Sequence, residues 1–443
     1  MDWNDPSSSM EVVDKDHPMS FTENISGLEK LDVSNMQEPD LRIDSVVAFL
    51  INLAELPPQQ LWDTFGMGNN DGRNDVNSMY GKDPFSLQEL EKGKCPSGLS
   101  TAEWLPPRPW NSEEISSKFQ SRAEELKAGR GAGKDKPVLI WYEHISKAGG
   151  TTFCGLSKTN LGQSLVPRYF CMPKRLNSND ADGRVGSWTN EELIGYTKRE
   201  KHVLVANEWD PFDLDKLHLS GRTLDGKTLR LTQDTDPLLL FVTTLRDPLD
   251  RLLSAYLFFG RIGETPPEFG LWIKRNLGRL GRYKVGEKGP FRCNVARYNA
   301  IVWRFSGGDL QHKVPASSGQ KEESQFPLPM TDEKLWRDPF ETAIRALSQH
   351  DLILPMDIMS KEEGQEAMRR VLGWNEVAIQ KGRGNGDRES GHIVTTGKIR
   401  NSNAREYLSD EDYRFLWDAN WLDNILVLWC RAVFLARLHC NDL

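Results

Sequence analysis

The sequence predicts a three-layer α/β domain, in which helices flank a central parallel sheet, placed behind an irregular N-terminal region. Several short runs are almost wholly apolar, as is typical of strands that are buried on both faces. Helical patterns follow most of these runs, and this alternation is what right-handed crossovers between parallel strands require. The apolar runs are Val138–Ile145, His202–Ala206, Leu238–Thr244 and Leu352–Leu354.

The chain before the first strand differs from the rest in charge and in pattern. Residues 1–45 hold eleven Asp and Glu against three Lys and Arg, and we expect residues 1–40 to be a disordered acidic tail. Residues 41–136 are rich in turn formers and predict an irregular region and linker, with one amphipathic helix at Ser112–Lys127. The α/β domain then spans residues 137–443.

The composition is that of a globular protein: 38% of the 443 residues are hydrophobic and 27% are charged. No run approaches the roughly 18 apolar residues of a membrane helix, and the longest candidate, Val46–Ala54, is too short. The first residues are acidic where a secretory signal would be basic and then apolar. As written the chain is expected in the cytoplasm, or in the Golgi lumen if its N-terminus is incomplete.

Six cysteines show no Cys/His spacing typical of a zinc site, and we expect no metal. In a chain of this length buried thiols are favoured over disulfides. Cys154–Cys171 is the pair to test if the compartment is oxidising.

The helical patterns follow the strands in order. Thr151–Leu161 comes after the first strand, Thr189–Glu192 has the pattern of a capping box, and Pro248–Gly260 has proline in its first turn. The later helical patterns are Glu268–Leu277, Asn294–Phe305, Asp332–Ser348, Lys361–Leu372 and Asp410–His439.

Two of the strands lead into turns that carry anion-binding residue types. The first reads EHISKAGGTTF (143–153) and places Lys147, two glycines and two threonines before a helix. The second reads TLRDPLDRLLSAY (244–256), with Arg246 and, eight residues later, Ser254. Unpaired N–H groups and the helix dipole favour an anion at a helix N-terminus. Two such turns predict a ligand with two separate phosphates.

These turns do not match a nucleotide triphosphatase. That class has the pattern GxxxxGK[ST], whereas Lys147 precedes Gly149 and Gly150 here, and no GK[ST] follows. The second turn supplies a cation that can bind phosphate directly, where a triphosphatase strand would supply a metal-binding carboxylate. ATP hydrolysis and kinase activity are therefore disfavoured.

Both turns resemble motifs of the Golgi-type carbohydrate sulfotransferases, a branch of the P-loop sulfotransferases. EHISKAGGTTF is similar to their 5′-phosphosulfate loop, HIPKTGGTTF, apart from Ser146 and Ala148. TLRDPLDRLLSAY is similar to their 3′-phosphate motif, RDPxxRxxSxY. The similarity is closest to the heparan sulfate 2-O- and 6-O-sulfotransferases, and weaker likeness extends it over about residues 137–440.

The resemblance implies a P-loop-type fold and the donor 3′-phosphoadenosine 5′-phosphosulfate, with no metal. Lys147 would bind the 5′-phosphate and its bridging oxygen, while the backbone N–H groups of residues 148–152 and two threonine hydroxyls surround that phosphate. Arg246 and Ser254 would hold the 3′-phosphate. The implied donor-binding residues are Lys147, Ala148, Gly149, Gly150, Thr151, Thr152, Arg246 and Ser254.

The general base is where the sequence departs from the family. The nearest relatives place a histidine after the strand that precedes the second motif, but this position reads Ala206, Asn207, Glu208. Related N- and 3-O-sulfotransferases use glutamate, so Glu208 is the predicted base, with Asp210 in reserve. The predicted catalytic residues are Lys147 and Glu208.

Several of these residues also have structural interpretations. Arg246 and Asp247 can form an ion pair, Ser254 can cap or pack, and Glu208 can cap a turn. Arg251 is expected to be structural, and His144, which lies in the strand, is expected to be a core histidine.

Three interpretations of the function remain. The expected one is sulfuryl transfer to a hydroxyl or amine of an acceptor, and the expected acceptor is a carbohydrate. Residues 246–313 hold thirteen Lys and Arg against six Asp and Glu, which suits an acidic glycan. We expect no nucleic-acid partner. The alternatives are an inactive donor-binding homologue and a P-loop nucleotide kinase or hydrolase.

Overall fold

A computed structural model describes most of the chain from residue 41 onwards. The described ranges are residues 41–65, 83–99, 102–129, 138–174, 184–229, 237–257, 269, 298–308, 333–376 and 403–440. The predicted acidic tail at 1–40, most of the predicted helix Glu268–Leu277 and most of the basic segment 246–313 lie outside these ranges.

The centre of the fold is a four-stranded parallel sheet with the order β2-β1-β3-β4. The strands are β1 (Val138–Glu143), β2 (Leu204–Asn207), β3 (Leu238–Leu245) and β4 (Leu352–Pro355). Every residue of all four strands is buried, as the apolar runs predict. Helices flank the sheet, so the predicted three-layer α/β class is confirmed.

Nine of the twelve α-helices in the described ranges lie at predicted positions, whereas the first three were not predicted from the sequence. The twelve α-helices of the described ranges are α1 (Leu41–Ala54), α2 (Pro58–Thr64), α3 (Leu87–Leu90), α4 (Ser112–Lys127), α5 (Gly150–Leu161), α6 (Asn190–Glu200), α7 (Pro248–Ala255), α8 (Ala300–Phe305), α9 (Glu333–Ser348), α10 (Glu362–Leu372), α11 (Asp410–Ala419) and α12 (Trp421–His439). The predicted capping box is present at α6, where Thr189 and Glu192 bond each other's backbone N–H groups.

Residues 41–129 contribute helices to the same core. Helix α1 packs on α9 and α12, α3 packs on α12, and α4 lies on β1 and β3. The apolar residues that they bury include Leu50 and Phe119, which are fully buried. The described part of this region is therefore packed against the sheet domain.

Two predicted helix boundaries are wrong, and buried polar groups explain both. The pattern Asp410–His439 predicts one helix, but Asn420 interrupts it: its side-chain amide donates to the Leu416 carbonyl, and its side-chain oxygen accepts from the Asn299 N–H. Helix α8 begins at Ala300, because the Asp423 carboxylate of α12 accepts from the Ile301 and Val302 N–H groups.

The expectation of buried thiols is wrong for four cysteines. Cys154 is bonded to Cys171, the pair named from the sequence, and Cys95 is bonded to Cys440. Cys430 is a buried free thiol, and Cys293 lies outside the described residues. The prediction of buried thiols rested on chain length, which does not show that the fold brings Cys95 and Cys440 together across a sequence separation of 345 residues.

Candidate functional site

The site lies at the carboxyl edge of the sheet, where β1, β2 and β3 end side by side. Glu143 at the end of β1 pairs in register with Asn207 of β2 and with Thr243 of β3. The turns that follow these strands are therefore neighbours, and they carry the predicted residues Lys147, Glu208 and Arg246. Parallel α/β sheets bind ligands at this edge.

The turn between β1 and α5 places several backbone N–H groups at the N-terminus of α5. Lys147 has a φ of 69° and Gly149 a φ of 100°, a left-handed conformation that glycine adopts without steric cost. Ala148 and Thr152 already donate their N–H groups to Ile145 and Gly149. Within the described chain the N–H groups of Gly149, Gly150 and Thr151 have no partner.

These two hydrogen bonds reduce the number of N–H groups that the predicted phosphate site can use. Of the five N–H groups at 148–152, three remain available to a ligand and two close the turn itself. Ala148 is fully buried, so it contributes shape and no contact through its side chain. Thr151 is exposed and Thr152 half-buried, and neither hydroxyl has a partner among the described residues.

Gly150 is required by its neighbour His144. A Cβ built on Gly150 would lie 1.8 Å from Nε2 of His144, whose ring is buried and stacks on Tyr142. His144 is thus a buried histidine, as expected, but its ring lies against the turn that precedes α5. Burial lowers the pKa of His144 below its ordinary value, so its ring is neutral at pH 7.

The two predicted phosphate turns are in direct contact. Nη1 of Arg246 donates to the backbone carbonyl of Lys147 at 3.3 Å. Burial lowers the pKa of Lys147 to about 8, Glu208 acts in the opposite direction, and Arg246 lowers it further. Burial likewise lowers the pKa of Arg246. Two cations that are partly desolvated and close together form a positive site suited to an anion.

The second turn differs from the first because its helix N-terminus is already occupied. The Asp247 carboxylate accepts from the N–H groups of Leu249 and Asp250 at 2.9 Å and so caps α7. Asp247 therefore acts as a helix cap, and no carboxylate within the described ranges lies within ion-pair distance of Arg246. This turn therefore offers an anion its side chains and not the N-terminus of α7.

Two side chains of the second turn are placed for that role. Arg246 is half-buried, and the half-buried hydroxyl of Ser254 on α7 has no hydrogen-bond partner among the described residues. Arg251, by contrast, is fully buried, and its charge interacts with that of Asp423 on α12. The structure thus places Arg251 in the core, as expected, and leaves Ser254 accessible.

Glu208 directly follows β2 and lies close to the first turn. Its Oε2 is 3.5 Å from Nδ1 of His144, and its charge acts on the pKa values of Lys147 and Tyr169 as well as on that of His144. The reserve candidate Asp210 is engaged elsewhere, in an ion pair with Arg184 at 2.8 Å and a bond from the Ser187 N–H.

A buried charge network that the sequence did not indicate holds the turn that carries Glu208. Arg304 of α8 forms an ion pair with Glu143 at 2.5 Å and donates to the carbonyls of His144 and Asn207. It also donates to the Asp210 carbonyl. The Asn207 amide bonds both Glu143 oxygens. Two features of the sequence could have indicated this network: a glutamate that ends an apolar strand, and an arginine inside the apolar run AIVWRF.

Comparisons of the sequence with protein-family models and with curated proteins find no match. Across the described ranges, no helix combines the length and apolar character that a membrane span needs. The same ranges contain no group of three or more His, Cys, Asp or Glu placed to hold a metal ion.

Proposed function

We propose that the protein is a sulfotransferase that moves a sulfuryl group from 3′-phosphoadenosine 5′-phosphosulfate to a hydroxyl of a carbohydrate acceptor. The observation that carries the proposal is the contact between the two turns, in which Arg246 bonds the Lys147 carbonyl. One ligand can then engage the open N-terminus of α5 through one phosphate and Arg246 with Ser254 through another. The resemblance of both motifs to those of sulfotransferases supports this assignment.

The residues fit a bisphosphate better than a triphosphate. The N–H groups of Gly149, Gly150 and Thr151 and the amine of Lys147 surround one anion site, and Arg246 belongs to a second. A linear triphosphate would need its cations along one loop. Because Asp247 closes the N-terminus of α7, the second anion is held by the guanidinium and the hydroxyl, which recognise a terminal phosphate.

The chemistry assigns one role to each predicted catalytic residue. The donor, when bound, supplies the sulfuryl group on its 5′-phosphate. Glu208 takes the proton of the acceptor hydroxyl while that oxygen forms its bond to sulfur. Lys147 stabilises the charge on the bridging oxygen as the bond from that oxygen to sulfur breaks. Most of the rate enhancement then comes from positioning and charge stabilisation, as in phosphoryl transfer.

A binding titration separates the three interpretations of the function. In calorimetry we expect 3′-phosphoadenosine 5′-phosphate to bind much more tightly than ATP. In a second assay, with labelled 3′-phosphoadenosine 5′-phosphosulfate and a panel of acceptors, we expect turnover. Tight bisphosphate binding without turnover on any glycan, phenol or amine would indicate an inactive homologue. Preference for ATP would contradict the sulfotransferase proposal.

A substitution tests the base. Glu208→Gln keeps the size of the side chain but removes its basicity, so we expect turnover to fall by about 10²-fold or more. The affinity for 3′-phosphoadenosine 5′-phosphate should stay within a factor of about two, because no donor contact is removed. Glu124→Gln on the exposed face of α4 is the matched control and should retain full turnover. Unchanged turnover in Glu208→Gln would remove Glu208 from the mechanism.

A further inference from the structure

The turn formed by residues 168–172 presents an aromatic ring to solvent and is hydrogen-bonded to Ala206, two residues before Glu208. Tyr169 is 37% exposed, and the other exposed large aromatic side chain of the described ranges is Trp110. The ring of Tyr169 meets that of Phe170 edge to face, with centroids 4.8 Å apart. An exposed aromatic ring offers an apolar, electron-rich surface to a ligand.

This turn has an uncommon backbone. Phe170 and Cys171 have φ values of 44° and 62°, and the Met172 N–H donates to the Tyr169 carbonyl at 2.8 Å. A turn with two consecutive positive φ values usually contains glycine or asparagine. Residues without that freedom persist in such a conformation where their surroundings hold them, and they cluster at functional sites.

Neighbouring elements hold the turn from two sides. The disulfide Cys154–Cys171 ties it to α5, the helix that begins with the phosphate loop, and the Lys158 amine donates to the Arg168 carbonyl at 2.6 Å. On the other side the Ala206 N–H donates to the Cys171 carbonyl at 2.9 Å. Ala206 is two residues before Glu208, so the turn is fixed to both halves of the site.

Electrostatics places Tyr169 in the same surroundings as the base. The pKa of Tyr169 is raised by its partial burial and by the charge of Glu208. The same carboxylate acts on Lys147. Glu208 thus lies within electrostatic reach of the phosphate loop and of the aromatic ring.

The geometry points to Tyr169 as the acceptor-binding residue, whose ring carries a sugar ring of the acceptor and presents its hydroxyl to Glu208. This inference rests on the proposed function, whose acceptor is a carbohydrate, and names the residue that binds it. Sugar rings have an apolar face of C–H groups that packs on the face of an aromatic ring. An alkyl amine lacks such a face, so a flat ring held rigidly in this turn favours a sugar over it.

The experiment measures oligosaccharide binding with the donor site filled. The wild-type protein, saturated with 3′-phosphoadenosine 5′-phosphate, is tested on an array of unsulfated oligosaccharides, and the variants are then tested on the ligands that bind. Tyr169→Ala should lose about tenfold or more in oligosaccharide affinity, whereas Tyr169→Phe, which keeps the ring, should stay within about threefold. Tyr169→Leu, which keeps apolar bulk without a planar ring, should behave like Tyr169→Ala.

Trp110→Ala is the matched control, because Trp110 is equally exposed but lies at the opposite edge of the sheet. Its carbonyl accepts from Arg222, which pairs with Asp351 immediately before β4. This variant should bind oligosaccharides as the wild type does. Thermal unfolding of each variant checks that the fold is kept.

The outcomes are distinguishable. If the wild type does not bind 3′-phosphoadenosine 5′-phosphate, the proposed function fails. If it binds the bisphosphate and oligosaccharides, but Tyr169→Ala and Tyr169→Leu bind oligosaccharides like the wild type, this inference fails and the proposed function stands. If it binds the bisphosphate but no oligosaccharide on the array, this inference fails together with the carbohydrate acceptor of the proposed function.

Discussion

At residue 150 the space for a single carbon atom decides whether the turn between β1 and α5 can form. The buried ring of His144 occupies the position that a Cβ of residue 150 would take, at 1.8 Å from its Nε2. Glycine at residue 149 answers a different need, a φ of 100°. The two adjacent glycines thus have separate physical causes, although they look alike in the motif.

Gly150→Ala should therefore destabilise the protein. The new methyl group would displace a buried ring, and overpacking of this kind costs about 1–3 kcal/mol in free energy of unfolding. Denaturant unfolding measures the change, and bisphosphate affinity should fall with it, since the loop must move. Gly155→Ala in the same helix is the control: nothing lies within 4 Å of its Cβ, so it should stabilise by about 0.5–1 kcal/mol. Equal effects of the two substitutions would contradict this account.

The amine of Lys147 predicts how bisphosphate binding depends on pH. Its pKa is lowered to about 8, so the free protein loses this charge as the pH rises through 8, whereas an ordinary lysine would keep it to above 10. Affinity for 3′-phosphoadenosine 5′-phosphate should be highest near pH 7 and fall by up to about tenfold per pH unit above 8. Calorimetry from pH 7 to pH 9 measures it.

Lys147→Arg supplies the comparison for that profile. A guanidinium keeps its charge throughout this range, so the affinity of the variant should be flat between pH 7 and pH 9, whatever its absolute value. If the wild-type affinity shows the same flat profile, Lys147 does not hold the phosphate through its charge.

At the scale of elements, three helix N-termini show how similar ends take different roles. That of α5 is open, that of α7 is capped by its own Asp247, and that of α8 is capped by Asp423 from α12. The sequence predicted two anion-binding helix ends from two similar turns. Only α5 has donors to spare among these, because a carboxylate already satisfies the others.

A buried ion pair joins the elements at the amino edge of the sheet. Arg222 and Asp351 are both fully buried at the side chain and 2.7 Å apart, and Asp351 also accepts from the Phe241 N–H of β3 and from the Ser112 hydroxyl of α4. Removing either side chain would leave the charge of the other buried and without a partner.

Asp351→Ala should lower the free energy of unfolding by about 3–5 kcal/mol, because it leaves the Arg222 guanidinium buried and unpaired. Glu114→Ala, which breaks the exposed pair of Glu114 with Lys118 on α4, should change it by less than about 1 kcal/mol. The double variant Arg222→Met/Asp351→Leu should recover part of the loss. Urea unfolding compares them, and a small effect of Asp351→Ala would show that the pair is not needed.

Across the fold, one disulfide links the segment that follows the early helices to the residue that follows the last helix of the described chain. Cys95 lies between α3 and α4, and Cys440 follows α12 directly. A link between residues so far apart restricts the unfolded chain more than the folded one. Disulfides of this kind persist in oxidising compartments.

The paired cysteines should be recovered as cross-linked peptides. Mass spectrometry of the non-reduced protein, produced under oxidising conditions, should find the links Cys95–Cys440 and Cys154–Cys171, with Cys430 as a thiol. Cys95→Ser/Cys440→Ser should lose up to about 5 kcal/mol of unfolding free energy. A reducing agent should lower the stability of the wild type further than that of this variant. Free thiols at both positions would contradict the pairing.

The fold was largely predictable because its signals are local. The apolar runs place all four strands to within about two residues, and the capping box starts α6 where the pattern predicts. The errors fall where a distant group intervenes. Asn420 divides a periodic segment into two helices, and Asp423 starts α8, and both act on backbone far away in the sequence.

The candidate site divides in the same way. The fold class and the residue types at the carboxyl edge could be predicted from the sequence, because strand burial and helix capping depend on neighbours within a few positions. The folded chain was needed to show that Arg246 bonds the Lys147 turn, that His144 excludes a side chain at residue 150 and that Arg304 holds the turn of Glu208. The contacts of Arg246 and Arg304 join residues about a hundred positions apart. The strength of these interactions comes from burial, which only the packed fold provides.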